Sequence, residues 1–121
     1  MGGYSRIRVV ADDREIGGGV IDALKQQTGV SLVVDRLALG DYLVDDRILV
    51  ERKTLRDLAA SIKDGRLFAQ GFRLAGAPLL SVLVLEGRSR DLAGSGMRRE
   101  AIQGALIALS LYLGVPLLRA R

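Results

Sequence analysis

The sequence predicts an α/β domain, a mixed sheet of about six strands with helices on both faces. Three observations carry that prediction. Short β-branched runs alternate with stretches of helical period along the chain. Apolar residues make up 49% of the sequence and aromatics only 4%, so the core must be built from Leu, Val, Ile and Ala. The length, 121 residues, suits one folded domain and leaves no room for a second.

Arg6 to Asp12 alternates and then runs apolar into an acidic end, as a core strand does when it reaches a site at its C-terminal edge. Gly17-Gly18-Gly19 breaks the chain as a flexible turn, because the Lys-Ser/Thr of a phosphate-binding loop is missing. Val20, Ile21, Ala23 and Leu24 then sit at helical spacing, and Gly29 follows the helix that ends near Thr28. Val30 to Leu37, Asp41 to Asp45 and Arg47 to Lys53 read as an antiparallel meander with turns at Gly40 and Asp45-Asp46. Thr54 opens a helix through Leu55, Leu58, Ala59 and Ile62, and Thr54 to Asp57 has the form of a capping box. Gly65 interrupts it, and a further helix runs to about Ala75. Leu79 to Leu85 is almost wholly apolar and reads as the centre of the sheet. Arg98 to Leu113 reads as a helix apolar nearly all round, either buried or facing a partner, and Val115 to Leu118 as a last short strand. That strand has no element to cover it, which suggests that the natural chain continues or that a partner covers this edge.

Composition removes whole classes of chemistry. There is no cysteine and no histidine, so disulfides, zinc sites, thiol nucleophiles, Ser-His-Asp triads and imidazole bases are excluded. What remains is carboxylate, Lys, Arg and hydroxyl. The N-terminal residues Met1 to Arg6 show no signal-peptide core, and no apolar stretch approaches the roughly 20 residues of a membrane span, so the expectation is a soluble, intracellular protein without a membrane partner. The net charge is +4, and 15 of the 18 cationic residues are Arg, the side chain that grips phosphate bidentately. A GC-rich genome explains the same bias.

The densest polar cluster lies on the hairpin, where Gly40-Asp41-Tyr42 enters and Val50-Glu51-Arg52-Lys53 leaves. Register decides whether its charges meet, because side chains alternate faces. A two-residue turn at Asp45-Asp46 pairs Asp41 with Val50 and turns Glu51 away. A three-residue loop, Asp45 to Arg47, pairs Asp41 with Glu51 at a Cβ separation of roughly 5 Å and puts Lys53 on the same face. Two adjacent carboxylates tolerate burial only if one is protonated or a cation lies between them. Mg²⁺ or Mn²⁺ suits such oxygens, lowers the pKa of a bound water and neutralises a phosphoryl oxygen, which points to phosphodiester hydrolysis. A solvated hairpin with an ordinary cross-strand salt bridge accounts for the same spacing. Asp12 could supply a third carboxylate, with Arg14 and Glu15 beside it. Asp57 is explained by capping, and Arg66 and Gln70, one turn apart, could touch phosphate or form a solvated face.

Four blocks, Asp12-Asp13-Arg14-Glu15, Gly40-Asp41-Tyr42, Val50-Glu51-Arg52-Lys53-Thr54-Leu55-Arg56-Asp57 and Gly65-Arg66-Leu67 with Gln70, resemble in order and spacing the nuclease domain of the XPF-type structure-specific endonucleases. The resemblance spans roughly Arg6 to Leu118, and the Glu-Arg-Lys-x-x-x-Asp string is its specific signature. It implies a restriction-endonuclease-like fold that cuts branched DNA such as flaps and forks near the duplex/single-strand junction, with Mg²⁺ or Mn²⁺. Carried over, Asp41 and Glu51 are the metal ligands, Lys53 the catalytic lysine and Asp12 an additional acidic residue at the metal. Arg52 and Asp57 support the site or substrate, as do Arg14, Arg66 and Gln70. The resemblance also implies a homo- or heterodimer through the nuclease domain. The tandem helix-hairpin-helix module that family members usually carry does not fit in this chain, and the Gly17 to Gly19 text is unlike theirs. The readings that compete are a catalytically silent partner subunit, a resolvase or restriction-type enzyme of the same fold, and a purely structural module.

Overall fold

The computed structural model describes residues 6–121. The expectation placed on Met1 to Ser5, that no signal peptide begins there, lies outside the described residues. Six strands form one mixed sheet: β1 (Ile7–Asp12), β2 (Val30–Asp35), β3 (Tyr42–Val44), β4 (Ile48–Thr54), β5 (Leu80–Glu86) and β6 (Leu117–Ala120), in the order β2-β1-β3-β4-β5-β6. Helices flank it: α1 (Val20–Lys25), α2 (Leu55–Lys63), α3 (Leu67–Ala75) and α4 (Arg99–Ile107). Two compact units divide the chain, the first ending at Val50 and the second running Glu51–Arg121.

In the first unit β1 leaves through a 3₁₀ turn at Asp13–Glu15, crosses by α1 and returns as β2 parallel to itself, with Ile7 opposite Val30 and Asp12 opposite Asp35. The expected three-strand meander is therefore corrected. A strand reached through a helical crossover comes back parallel to the strand that fed it, so β2 lies outside β1 while β3 runs antiparallel on the other side. Only β3 and β4 form a hairpin. Alternation sends Val9, Ala11, Tyr42 and Val44 to one face, where they pack with Ile21, Val20 and Leu24 of α1. That helix ends at Lys25, earlier than its apolar pattern suggested, because Gln26, Gln27 and Thr28 have nothing to bury and remain exposed.

The second unit continues β4 into α2 without a loop. Thr54 keeps extended backbone, and its hydroxyl accepts the amide of Asp57 at 3.0 Å, satisfying one orphan donor of the first turn. Leu55, Leu58 and Ala59 of α2, Leu67 and Leu74 of α3, Leu83 and Leu85 of β5 and Ile102, Ala105 and Leu109 are buried. Truncating Leu58, wholly buried, to Ala would cost about 2–5 kcal/mol. The Ser81 hydroxyl donates to the Leu74 carbonyl at 2.8 Å and ties α3 to β5.

Two expectations change here. β5 stands fifth of six strands, between β4 and the edge strand β6, and not at the sheet centre. Ser81, Leu83 and Leu85 are its buried face, whereas Val82, Val84 and Glu86 stay partly open. An all-apolar run reads as two-sided burial although one face suffices here. The helix expected over Arg98 to Leu113 is α-helical only to Ile107 and then widens into a π-helical turn, Ala108–Tyr112, closed by the Leu113 amide on the Ala108 carbonyl at 3.0 Å. A Cβ on Gly71 of α3 would fall 2.6 Å from Leu109 Cδ2 and 2.9 Å from Leu113 Cδ1, so glycine lets these elements close up. Burial takes only one side of this segment. Leu111 and Tyr112 stand 80% and 88% exposed.

Candidate functional site

The polar residues singled out in the sequence fall into two clusters, one in each unit. In the first, Asp12 ends β1 with its side chain buried, 1% exposed, and every acceptor position filled. Oδ2 accepts Arg14 Nε at 2.6 Å and the Arg14 amide at 3.2 Å, while Oδ1 accepts the Leu37 amide at 2.8 Å and Arg14 Nη2 at 3.2 Å. The Arg14 guanidinium above all, and then the Leu37 amide, hold the Asp12 carboxyl far below the usual carboxylate range against the opposing effect of burial. The same ion pair raises the Arg14 pKa, and the charge of Asp41 adds to it. Arg14 Nη2 also donates to the Leu37 carbonyl at 3.1 Å, and Arg36 Nε lies 2.7 Å from Asp13 and 4.0 Å from Asp12.

Asp41 is placed by backbone. Its carbonyl accepts the Asp12 amide at 2.8 Å and its amide donates to the Val50 carbonyl at 2.8 Å. Gly40 permits this approach: it has φ +79°, and a Cβ there would sit 3.3 Å from Leu49 Cδ2 and 3.5 Å from the Val50 oxygen. The hairpin loop is the three-residue one. Val44 faces Ile48 and Tyr42 faces Val50, leaving Asp45, Asp46 and Arg47 as the loop. Asp45 and Asp46 hold left-handed backbone at φ 51° and 55°, tolerable for Asp, and Arg8 steadies both through its amide to Asp45 Oδ1 at 2.8 Å and its guanidinium to Asp46 at 2.9 Å.

In the second cluster the alternation of β4 puts Glu51 and Lys53 on one face and Arg52 on the other. Arg52 forks onto Glu86 at the end of β5, Nε to Oε1 at 2.7 Å and Nη2 to Oε2 at 2.9 Å, both side chains about three-quarters buried. Lys53 is 5% exposed, and its ammonium donates to Asp57 Oδ2 and Gln70 Oε1, each at 2.7 Å. Asp57 thus does more than the capping expected of it, since its amide meets the cap while its carboxylate meets Lys53. Arg66 is not drawn into this group; it stays exposed and pairs with Asp64 at 3.3 Å.

Glu86 was not singled out as a site residue. Its signal was present, an acid closing an otherwise apolar strand, but nothing local says that it answers Arg52. The role of Leu37 is carried by backbone and has no signature. Among the described residues no three carboxylates gather into a group able to hold a metal ion. Asp12, expected beside the metal, has its oxygens engaged by protein donors.

A family model for the ERCC4 domain matches residues 11–121. The 3′-flap repair endonuclease Xpf of Saccharolobus solfataricus is 34% identical over 95% of this chain and 49% of its own length. The DNA repair endonuclease XPF of Cricetulus griseus is 29% identical over 87% of the chain, which there spans 12% of the relative. Among solved structures, XPF from Aeropyrum pernix in complex with DNA superposes with a TM-score of 0.84 at 39% identity, covering 95% of this chain and 56% of that one. The chain therefore spans about half the length of the Saccharolobus and Aeropyrum relatives. The four signature blocks, the mixed sheet and these matches agree: the chain belongs to the ERCC4 domain family, the nuclease domain of the XPF-type endonucleases.

Proposed function

We propose that this chain is a divalent-metal-dependent endonuclease domain that hydrolyses phosphodiester bonds in branched DNA, flaps or forks, near the junction of duplex and single strand. The observation that carries the reading is Lys53. A buried ammonium on a strand is costly, and this one is held by a carboxylate and an amide one residue from the strand's end, on the face that carries Glu51. The three-residue loop supports the partner side, because it ends the paired stretch with Tyr42 opposite Val50 and leaves the Asp41 amide on the carbonyl of Val50, the residue before Glu51.

Asp41 and Glu51 fit Mg²⁺ or Mn²⁺, being hard oxygen donors on half-buried positions, and would hold it as a pair. Such an ion, when bound, activates a water and neutralises charge on the phosphoryl group. Lys53, aimed by its hydrogen bonds to Asp57 and Gln70, adds positive charge at the phosphate or orients the attacking water. Asp12 acts at one remove by fixing Arg14, which is left to face an anion, and Arg52 with Glu86 braces the strand from behind. Arg66 contributes only charge. A DNA substrate implies an intracellular setting, and among the described residues no helix is long and apolar enough to cross a membrane. Exposed Ile107, Leu111 and Tyr112 support pairing with a second nuclease domain, its own or a related one.

Cleavage of labelled fork and flap DNA with Mn²⁺, Mg²⁺ or chelator, wild type beside Asp41→Ala, tests this. Metal-dependent cutting that the variant lacks is expected. Cutting that survives the substitution would remove Asp41 from the site, and cutting that survives chelation would remove the metal.

A further inference from the structure

A groove outside the site just described lies in the second unit between the 3₁₀ turn Ser89–Leu92, the start of α4 and the end of β6. It encloses about 580 Å³, with Leu92, Met97, Ile102 and Leu106 as an apolar floor and Arg99 and Arg119 on the rim. Arg119 is fixed there by donating to the Gly87 carbonyl at 2.9 Å. Arg88, Arg90 and Arg98 stand along the same connection, exposed like Arg99, and among the described residues none of these four guanidinium groups is paired with a carboxylate. The nearby Asp91 is turned onto the Arg88 amide at 2.9 Å.

The start of α4 is at odds with local helix chemistry. Arg98 is the N-cap, where Ser, Thr, Asn or Asp is preferred, and makes no side-chain cap; Arg99 follows at the first helical position. Two cations thus sit at the positive end of a helix dipole, with only Glu100 to offset them. A sequence that breaks a local rule at an exposed position marks a place where something else supplies the missing partner, here an anion. An apolar floor below that anion site asks for a ligand with flat, weakly polar groups hung from a charged backbone.

We propose that this groove takes single-stranded DNA, with phosphates on Arg98 and Arg99 and the unstacked bases over Met97 and Leu106. Charge complementarity selects the strand: the charged side chains lining the groove, Arg99 and Arg119, are both cations, and Arg planes and apolar side chains are the surfaces on which splayed bases stack. The inference deepens the proposed function, on which it rests, by seating the unpaired arm of a branched substrate on residues other than Asp41, Glu51 and Lys53.

The test is fluorescence anisotropy of a labelled oligothymidine on the full chain, wild type against Arg98→Glu/Arg99→Glu, with circular dichroism to confirm folding. Binding is expected to weaken about tenfold or more, and the slope of log K against log salt to fall by about 1.4, two phosphates at about 0.7 each. Photocrosslinking of a halogenated-uridine oligonucleotide should label Met97 in the wild type and lose that label in the variant. Unchanged anisotropy, or crosslinks only elsewhere, overturns the groove while leaving the nuclease reading intact. An apolar acidic peptide that binds with the same Arg dependence when the oligonucleotide does not makes the groove a protein-docking site and overturns the proposal. Wild type that neither binds oligothymidine nor cuts branched DNA removes both readings, whereas cutting without oligothymidine binding removes only this one.

Discussion

The two units of this chain use charge in opposite ways. Up to Val50 there are six Lys or Arg against eight Asp or Glu, a net charge of −2; from Glu51 onward there are twelve against six, a net charge of +6. In the first unit Arg8, Arg14 and Arg36 each lie against a carboxylate, and the acids they meet belong to a loop or a strand end that needs holding. In the second, Arg52 and Lys53 are spoken for, but the arginines from 88 to 99 are not. Arg8, Arg14 and Arg36 in the first unit set geometry, whereas Arg88, Arg90, Arg98 and Arg99 in the second are exposed and, among the described residues, lie against no carboxylate. A net charge averaged over the whole chain, +4, hides this division.

The comparison is broken most sharply at the proposed ligands. Asp41→Ala and Glu51→Ala should each lower the cleavage rate by on the order of 10³ or more, several kcal/mol of lost charge stabilisation, with DNA affinity within a few-fold of wild type. If affinity collapses in parallel with rate, these carboxylates position the fold and not the metal. Lys53→Met should follow, a rate loss of about 10² or more with little change in affinity. A Lys53→Met enzyme as fast as the wild type would make the buried ammonium a purely structural clasp.

Next come effects on stability. Arg52→Ala leaves Glu86 partly buried without its fork and should cost about 1–2 kcal/mol, read from the urea midpoint. Gly40→Ala meets a left-handed backbone and a close leucine and should cost about 1–2 kcal/mol by the same measurement. The smallest effect is visible only in acid. Because folding depresses the Asp12 pKa, its contribution is complete above the ordinary carboxylate range near pH 4 and fades as pH falls toward its folded value. Asp12→Asn should therefore flatten the acid limb of stability against pH, and an unchanged slope would mean that Arg14 is held by something other than this carboxylate.

Much of this could be read without coordinates. The Thr54 cap and the face shared by Glu51 and Lys53 are local, set by alternation and turn chemistry, and those readings agree with the structure, which also decides the hairpin loop, left open by sequence between two and three residues, in favour of three. The meander, the central position of β5 and the length of the last helix were not readable, because each depends on which distant strand or helix supplies the other face. The two-acceptor grip on Lys53 lay between these cases. Asp57 is one helical turn away and visible, but Gln70 comes from another helix, and its oxygen reaches Lys53 only once α3 has docked.

That last contact carries a dynamic consequence. An ammonium with two short acceptors and almost no water loses its protons to solvent slowly and rotates in jumps, not freely. Its ¹⁵N resonance should persist at temperatures where those of Lys25 and Lys63 have exchanged away, and it should vanish when α3 lifts. The Lys53 side chain is thus a built-in clock for the opening of one helix, readable with no substrate present.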